Sequence, residues 1–360
     1  MQLIRRRRTP YPASAPALPG ALLLLGALLL LAGCRPSPPA RVSESEFLLG
    51  TVVTITVHGH GNASAAITAA FDRTRQIQAK MSANEANYDD TEIIRVNRNA
   101  GIRPVEVSDE TFHVVTEAIR FAAMTEGAFD PTVLPLFRLW GMDSRSPAVP
   151  DERQIDEVLE LVGHDAVETD AGRRTVYLPE PGMALDLGGI AKGYAVNESA
   201  RVLREMGVNH AILDYGGDIV TIGTRPDGTP WRIGVQHPVG ERGRFLGVLS
   251  SVDESVVSSG AYERFFVENG VRYHHIFDPD TGMPSDSGVT SVTVVGADAT
   301  TTDALSTAVF VMGADRGLEL IASLSGYEAI VSTDRLELYL TSGLADRFEL
   351  RAEEYRLVTP

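Results

Sequence analysis

Between Val256 and Gly313 the chain concentrates side chains able to move protons or hold a cation: the imidazole pair His274-His275, the carboxylate of Asp278, and Asp303 followed by the hydroxyls of Ser306 and Thr307. An imidazole near a carboxylate can accept or deliver a proton close to neutral pH. Asp303 and Thr307, four apart at a helix start, lie on one face, where their oxygens suit a hard cation such as Mg²⁺. Unpaired N–H groups at the same helix end favour negative charge. Facing a glycine turn with Lys192 further upstream, these groups would suit metal-assisted attack on a pyrophosphate. Each also has a plain structural use, an acid in a first turn as a cap and a strand histidine as a packed ring, so their surroundings decide.

The elements that must position them can be read outward from this stretch. Tyr262–Val267 and Val271–Phe277 are aromatic and β-branched and flank Glu268-Asn269-Gly270, a strong hairpin signal. Pro279 and Gly282 then force a turn just after the imidazoles and Asp278. A strand at Val289–Val295 leads into the hydroxyl-rich helix start at Thr300–Thr307. Upstream, Met183–Val196 runs from a short strand into a helix through Gly188-Gly189, and glycines at such a turn let backbone amides approach phosphate. The spacing is not that of a Walker P-loop.

Earlier segments read as follows. Phe47–His58 alternates as a strand. Asn62–Met81 has the apolar spacing of an amphipathic helix, and Ser108 caps another, with Asp109 and Glu110 in its first turn and Gly127 stopping it. The turn Gly127–Val133 presents Asp130 and Thr132, and Gly216-Gly217-Asp218 separates two strands. Further strands are expected at Trp231–Val235, Phe245–Leu249, Glu328–Ser332 and Leu336–Thr341. Strands outnumber helices after Tyr177, which predicts an α+β fold, one composite domain of mixed and antiparallel sheets with flanking helices.

Three of these segments, Ser-Gly-x-Tyr-Glu at 259–263, His-Ile-x-Asp-Pro-x-Thr-Gly-x-Pro at 275–284 and Asp-Ala-x-x-Thr at 303–307, resemble the C-terminal signature of the ApbE-type FAD:protein FMN transferases. Four upstream segments resemble the same family: Leu49-Gly50-Thr51, where Leu49 stands for a common Met; Met81-Ser82 with Tyr88, Glu92-Ile93 and Asn97; Gly127–Thr132 with Leu139-Trp140-Gly141; and Asp186–Tyr194, matched residue for residue. The Gly216-Gly217-Asp218 segment is similar too. The resemblance implies that FAD, as substrate, contacts Leu49, Tyr88, Ala128, Phe129, Asp130, Asp186, Lys192 and Ile276. It implies Mg²⁺ on the Gly189 carbonyl, Asp303, Ser306 and Thr307, with His275 and Asp278 as catalytic groups. FMN would pass to a threonine or serine of an acceptor, namely flavoprotein subunits of membrane redox complexes, and AMP would leave. Whether His275 or Asp278 deprotonates the acceptor hydroxyl stays open at this point. Two other readings use the same residues: an FAD pyrophosphatase with water as nucleophile, and a non-catalytic FAD-carrying lipoprotein.

The N-terminus carries an address. Arg5–Arg8 is a basic segment, Gly20–Ala32 an apolar run shorter than the roughly 20 residues of a membrane span, and Leu31-Ala32-Gly33-Cys34 looks like a lipobox. Residues 1–33 are thus expected to be a lipoprotein signal peptide, Cys34 the lipidated residue, 34–45 a proline-containing spacer, 46–350 the catalytic domain and 351–360 a tail. That places the protein on the bacterial cell envelope, lipid-anchored and facing the periplasm. Cys34 is the sole cysteine, so no disulfide is expected. The 360-residue chain has a net charge of −16, and removing the signal takes four arginines and no acid. Such acidity argues against nucleic-acid binding and makes a bound pyrophosphate need a cation.

Overall fold

The computed structural model describes residues 40–240 and 243–358. The signal segment 1–33 and Cys34 lie outside these residues. From Ala40 onward the chain forms one unit, and its class is α+β as expected.

Nine strands lie side by side in chain order: Arg41–Leu48, Thr51–His58, Ala211–Tyr215, Asp218–Ile222, Ser255–Gly260, Val289–Gly296, Glu328–Thr333, Glu337–Leu340 and Arg356–Val358. Every neighbouring pair is antiparallel except the last, which is parallel. Alternation along the strands gives each face a different cover. Val53, Ile55, Val57, Val220 and Ile222 pack with the helices Ala63–Met81 and Ala191–Glu205, while Val292 and Val294 pack with the helix Ala299–Met312. Val256, Val295 and Ile330 turn to the other face and meet a three-stranded sheet, Trp231–Gln236, Phe245–Ser251 and Phe348–Leu350. Among the described residues no helix is long and apolar enough to cross a membrane.

Both ends of the domain lie outside the expected bounds. The first strand begins at Arg41, inside the stretch read as spacer, and the last, Arg356–Val358, lies in the stretch read as a tail, with Tyr355 buried beside it. Phe47–His58 is likewise two antiparallel strands joined at Leu49-Gly50, both with positive φ, and not one strand. The expected hairpin forms as Phe265–Glu268 and Val271–His274, turning on Asn269 and Gly270 at φ 51° and 82°. That pair of positive angles is what Asn-Gly supplies at low cost.

The two helices that carry the site cross closely. A Cβ at Gly193 would run into the Ala299 carbonyl oxygen and lie 2.8 Å from the Asp303 Cβ, so the approach needs glycine there. Asn197 bonds the Ala299 N–H and the Thr300 hydroxyl across the same crossing.

Candidate active site

The helix Ala299–Met312 starts earlier than expected, at Asp298, whose carboxylate accepts from the Thr301 N–H. Asp303 is therefore in the second turn, buried at 2% exposure, and not an exposed first-turn acid. Its Oδ1 lies 3.0 Å from Lys192 Nζ, and its Oδ2 accepts from the Gly193 N–H at 3.0 Å. Asp218, equally buried, accepts from the same ammonium through both oxygens, at 3.0 and 2.9 Å. One lysine is thus clamped by two carboxylates from different parts of the sheet and helix layers.

The charges in this cluster do not balance. Burial favours a neutral amine, but Asp218 and Asp303 outweigh it and hold Lys192 above its ordinary pKa. Burial, then the neighbouring Asp303, push Asp218 well above the carboxylate range, and Lys192 offsets this in part. Two acids against one base leave a negative surplus that a further cation would relieve.

The glycine turn faces this cluster. A Cβ on Gly189 would sit 3.5 Å from Thr307 Oγ1 and 3.0 Å from the Phe129 ring, so the Gly189 backbone, Thr307 and Phe129 meet there. Ser306 is buried, donates to the Asp303 carbonyl at 2.9 Å and lies 2.8 Å from Ser259 Oγ. The approach to the turn is no strand, contrary to expectation. Leu185 has its N–H and C=O both bonded to the Asn97 side chain, at 2.8 and 2.9 Å, in place of a neighbouring strand. Asp186, half-buried, takes the Gly188 N–H at 2.9 Å, and its own N–H donates to the Pro131 carbonyl, which ties the turn to the Phe129–Thr132 segment. Burial, then the nearby Asp143, raise the Asp186 pKa, with the Gly188 N–H opposing.

His275 follows directly on the hairpin. Its Nδ1 and backbone N–H both bond the Arg264 carbonyl at 3.2 Å, so the ring proton sits on Nδ1 and Nε2 keeps its lone pair. Desolvation first, then the Arg264 charge and other cations including Lys192, lower its pKa to about 3, so the ring is neutral at physiological pH. Asp278 takes the Asp280 N–H in the turn. A groove of about 310 Å³ runs from Asp278 past Gly127 and Ala128. Trp140 fixes this turn to the rest of the fold, its Nε1 donating to the Gly282 carbonyl at 3.0 Å.

Not every expected residue offers its side chain to this region. Asp130 was expected at FAD, yet its carboxylate turns inward and accepts from Thr132 N–H and hydroxyl and from His164 N–H and Nδ1. Ile276 was expected there too, yet it is buried among Val292, Leu305 and Phe310, and its N–H and C=O already bond His274 Nδ1 and Ser285 N–H. The Leu49 N–H is taken by Gln78 Oε1 at 3.0 Å. Tyr88 lies half-buried in the turn after the Ala63–Met81 helix, bonded through its backbone to Asn84. Asp218 was not among the expected site residues, although Gly216-Gly217-Asp218 had been picked out as a turn. Gln78 and Arg264, which hold the Leu49 and His275 backbones, carry no such signal, and Asn97, part of the family-like run, holds the Leu185 backbone. A polar side chain spent on a distant backbone leaves no local pattern.

The donors present fit a hard cation. Among the described residues no three carboxylates, imidazoles or thiols gather at one point, so a cation would rest on Asp303, on hydroxyl and carbonyl oxygens, and on oxygens of the substrate. One or two carboxylates completed by phosphate oxygens is the usual Mg²⁺ arrangement.

A model of the ApbE family matches residues 49–331. The FAD:protein FMN transferase of Treponema pallidum is 33% identical over 321 residues, spanning 85% of this chain and 88% of that protein. That of Vibrio cholerae is 33% identical over 299 residues, spanning 82% and 89%. Among solved structures, the crystal structure of the ApbE protein from Thermotoga maritima aligns with a TM-score of 0.76 at 34% identity, covering 87% of this chain and 97% of that one. The flavin transferase ApbE from Vibrio cholerae aligns with a TM-score of 0.76 at 31% identity, covering 86% and 100%. With the matched span running from the Leu49-Gly50 turn through the Asp303 helix to the strand Glu328–Thr333, the chain belongs to the ApbE family.

Proposed function

We propose that this protein transfers FMN from FAD to a threonine or serine hydroxyl of an acceptor flavoprotein and releases AMP. The observation that carries the reading is the buried Asp218–Lys192–Asp303 cluster, with its surplus negative charge, set against the Gly189 turn of an ApbE-family chain. In the reaction the acceptor oxygen bonds to the FMN phosphorus, the anhydride P–O bond breaks, and AMP leaves with the former bridging oxygen. The hydroxyl proton goes to a base beside it. His275 Nε2 has the lone pair and fixed tautomer for this, and Asp278 stands in the turn that follows. Asp303, Thr307 and the Gly189 carbonyl would hold Mg²⁺, with Ser306 joining only if it loosens its bond to the Asp303 carbonyl. Bound there, Mg²⁺ would neutralise charge developing on the pyrophosphate. Lys192 sits between the two acids and bonds both, and the glycines at 188 and 189 would let the backbone come close to the phosphates.

The neutral state of His275 has a consequence for pH dependence. A pKa depressed to about 3 means the folded protein binds this proton only in strong acid, so the ring stays competent as a base far below 6.5. The same depression costs stability as pH falls from the unfolded value near 6.5 toward 3, because the unfolded chain takes up the proton first. A kcat/KM profile for FAD between pH 5 and 8 should show no limb near 6.5 that disappears in His275→Gln. A limb near 6.5 lost in that variant would contradict the assignment.

Flavin transfer is tested by mixing the protein with FAD, Mg²⁺ and a flavin-free acceptor domain, then weighing the acceptor. A mass gain of FMN minus water, lost when the acceptor threonine becomes alanine, is expected. FMN and AMP accumulating beside an unmodified acceptor would instead make the protein a pyrophosphatase. The chain would act from the periplasmic face of the cell envelope, held through lipid on Cys34, on flavoprotein subunits of membrane redox complexes. The Leu31-Ala32-Gly33-Cys34 sequence supports that placement. An N-terminus still at Met1 in membrane preparations from a host with lipoprotein processing would refute it.

A further inference from the structure

The acid-rich surface changes character around Arg264. On one side, Phe47 and Val52 pair across the first hairpin, just outside its Leu49-Gly50 turn, and are 73% and 58% exposed. A Cβ on Gly50 would lie 3.2 Å from the Arg264 guanidinium. On the other side stands the hairpin Phe265–His274, a two-stranded sheet of its own. Its inner face is spent, since Phe266 stacks on Tyr273 and both pack against Trp140. Its outer face carries Phe265 and Val267, 43% and 59% exposed, opposite His274 and Arg272. The Arg272 guanidinium lies 4.3 Å from the centre of the Phe265 ring, and among the described residues no carboxylate pairs with it. A depression of about 280 Å³ opens beside Phe265, between Met142, Pro147 and the segment 263–266, which includes Glu263.

Exposed aromatic and aliphatic side chains mixed with arginine are what protein-binding surfaces use. Their position narrows the occupant. The Arg264 carbonyl between the two apolar pairs is the acceptor of both His275 hydrogen bonds, which places this rim beside the imidazole. In a chain of net charge −16 the rim offers cations at Arg264 and Arg272 beside the acids Glu263 and Glu268; among the described residues Arg264 lies 3.7 Å from the Asp143 carboxylate and Arg272 is in no ion pair. We infer that the two hairpins flanking Arg264 form the docking surface for the acceptor protein, which meets it with an apolar and acidic surface around its target hydroxyl. This rests on the transfer reading above, and says which part of the protein selects the acceptor.

The test uses the full chain and a flavin-free acceptor domain from the same bacterium, produced without its own flavin transferase. Three variants are compared with the parent: Phe265→Ser with Val267→Ser, Phe47→Ser with Val52→Ser, and Arg272→Glu. The expected result is a KM for the acceptor raised about tenfold or more, with the KM for FAD and the kcat at saturating acceptor within about twofold of the parent. Arg272→Glu changes an exposed side chain and keeps the test valid if a serine pair fails to fold. Transfer by the parent with an unchanged acceptor KM in the folded variants would overturn the docking surface alone. No transfer by the parent would overturn the transfer reading and the docking surface together.

Discussion

Replacing Lys192 by methionine is expected to cost about 3–5 kcal/mol of stability at neutral pH, the usual result of leaving buried charges without their partner. Asp218 and Asp303 are 1% and 2% exposed, and among the described residues the lysine is the one cation bonded to either of them. Without it nothing offsets the burial and the neighbouring Asp303 that already hold Asp218 above the carboxylate range. A carboxyl whose folded pKa lies above its unfolded value near 4 stabilises the fold below that value and loses the contribution as pH rises through the folded pKa. The gap between variant and parent should therefore be largest above neutrality and close toward pH 4. Urea unfolding at pH 7.5 and pH 4.5 measures it. Were Lys192 a solvated helix lysine, the change would stay within about 0.5 kcal/mol at both pH values. FMN transfer should be lost in the same variant, since the acids would take up a proton and no longer present the same charge.

That lysine marks the limit of what the chain alone makes legible. Its segment could be recognised residue for residue, but its partners stand 26 and 111 positions away, and no local pattern links them. The hairpin at Asn269-Gly270 was legible because both turn positions need positive φ, a requirement that sequence records directly. The first strand was not, for the opposite reason. Arg41–Leu48 is an edge strand with Glu44, Glu46 and serines, and its side-chain bonds, Ser43 to Thr56 and Ser45 to Thr54, look like spacer chemistry until Thr51–His58 lies beside it. Asp303 was read as the opening acid of its helix because hydroxyls crowd Thr300–Thr302, yet Asp298 takes the cap and places Asp303 a turn deeper. Burial of that one carboxylate changes what its removal should do.

Asp303→Asn keeps the shape and removes the charge, so it separates the two tasks of this side chain. Lys192 still has Asp218, and the asparagine carbonyl can take the place of Oδ1 toward the ammonium. The other end becomes an amide facing the Gly193 N–H, two donors in a buried gap, which should cost about 1–3 kcal/mol. An exposed first-turn acid would have cost less than about 1 kcal/mol, so the stability change alone distinguishes the two positions. The larger effect is expected on the reaction. Loss of the only ionised ligand among Asp303, Thr307 and the Gly189 carbonyl removes several kcal/mol of charge stabilisation, and each 1.4 kcal/mol is about tenfold in rate. The kcat/KM for FAD should fall by about a thousandfold, and the Mg²⁺ concentration giving half-maximal rate should rise. Both are read from FMN transfer at a series of Mg²⁺ concentrations, at a temperature where the variant remains folded. Unchanged rate and Mg²⁺ dependence in a destabilised variant would leave Asp303 as a partner of Lys192 and place any metal elsewhere.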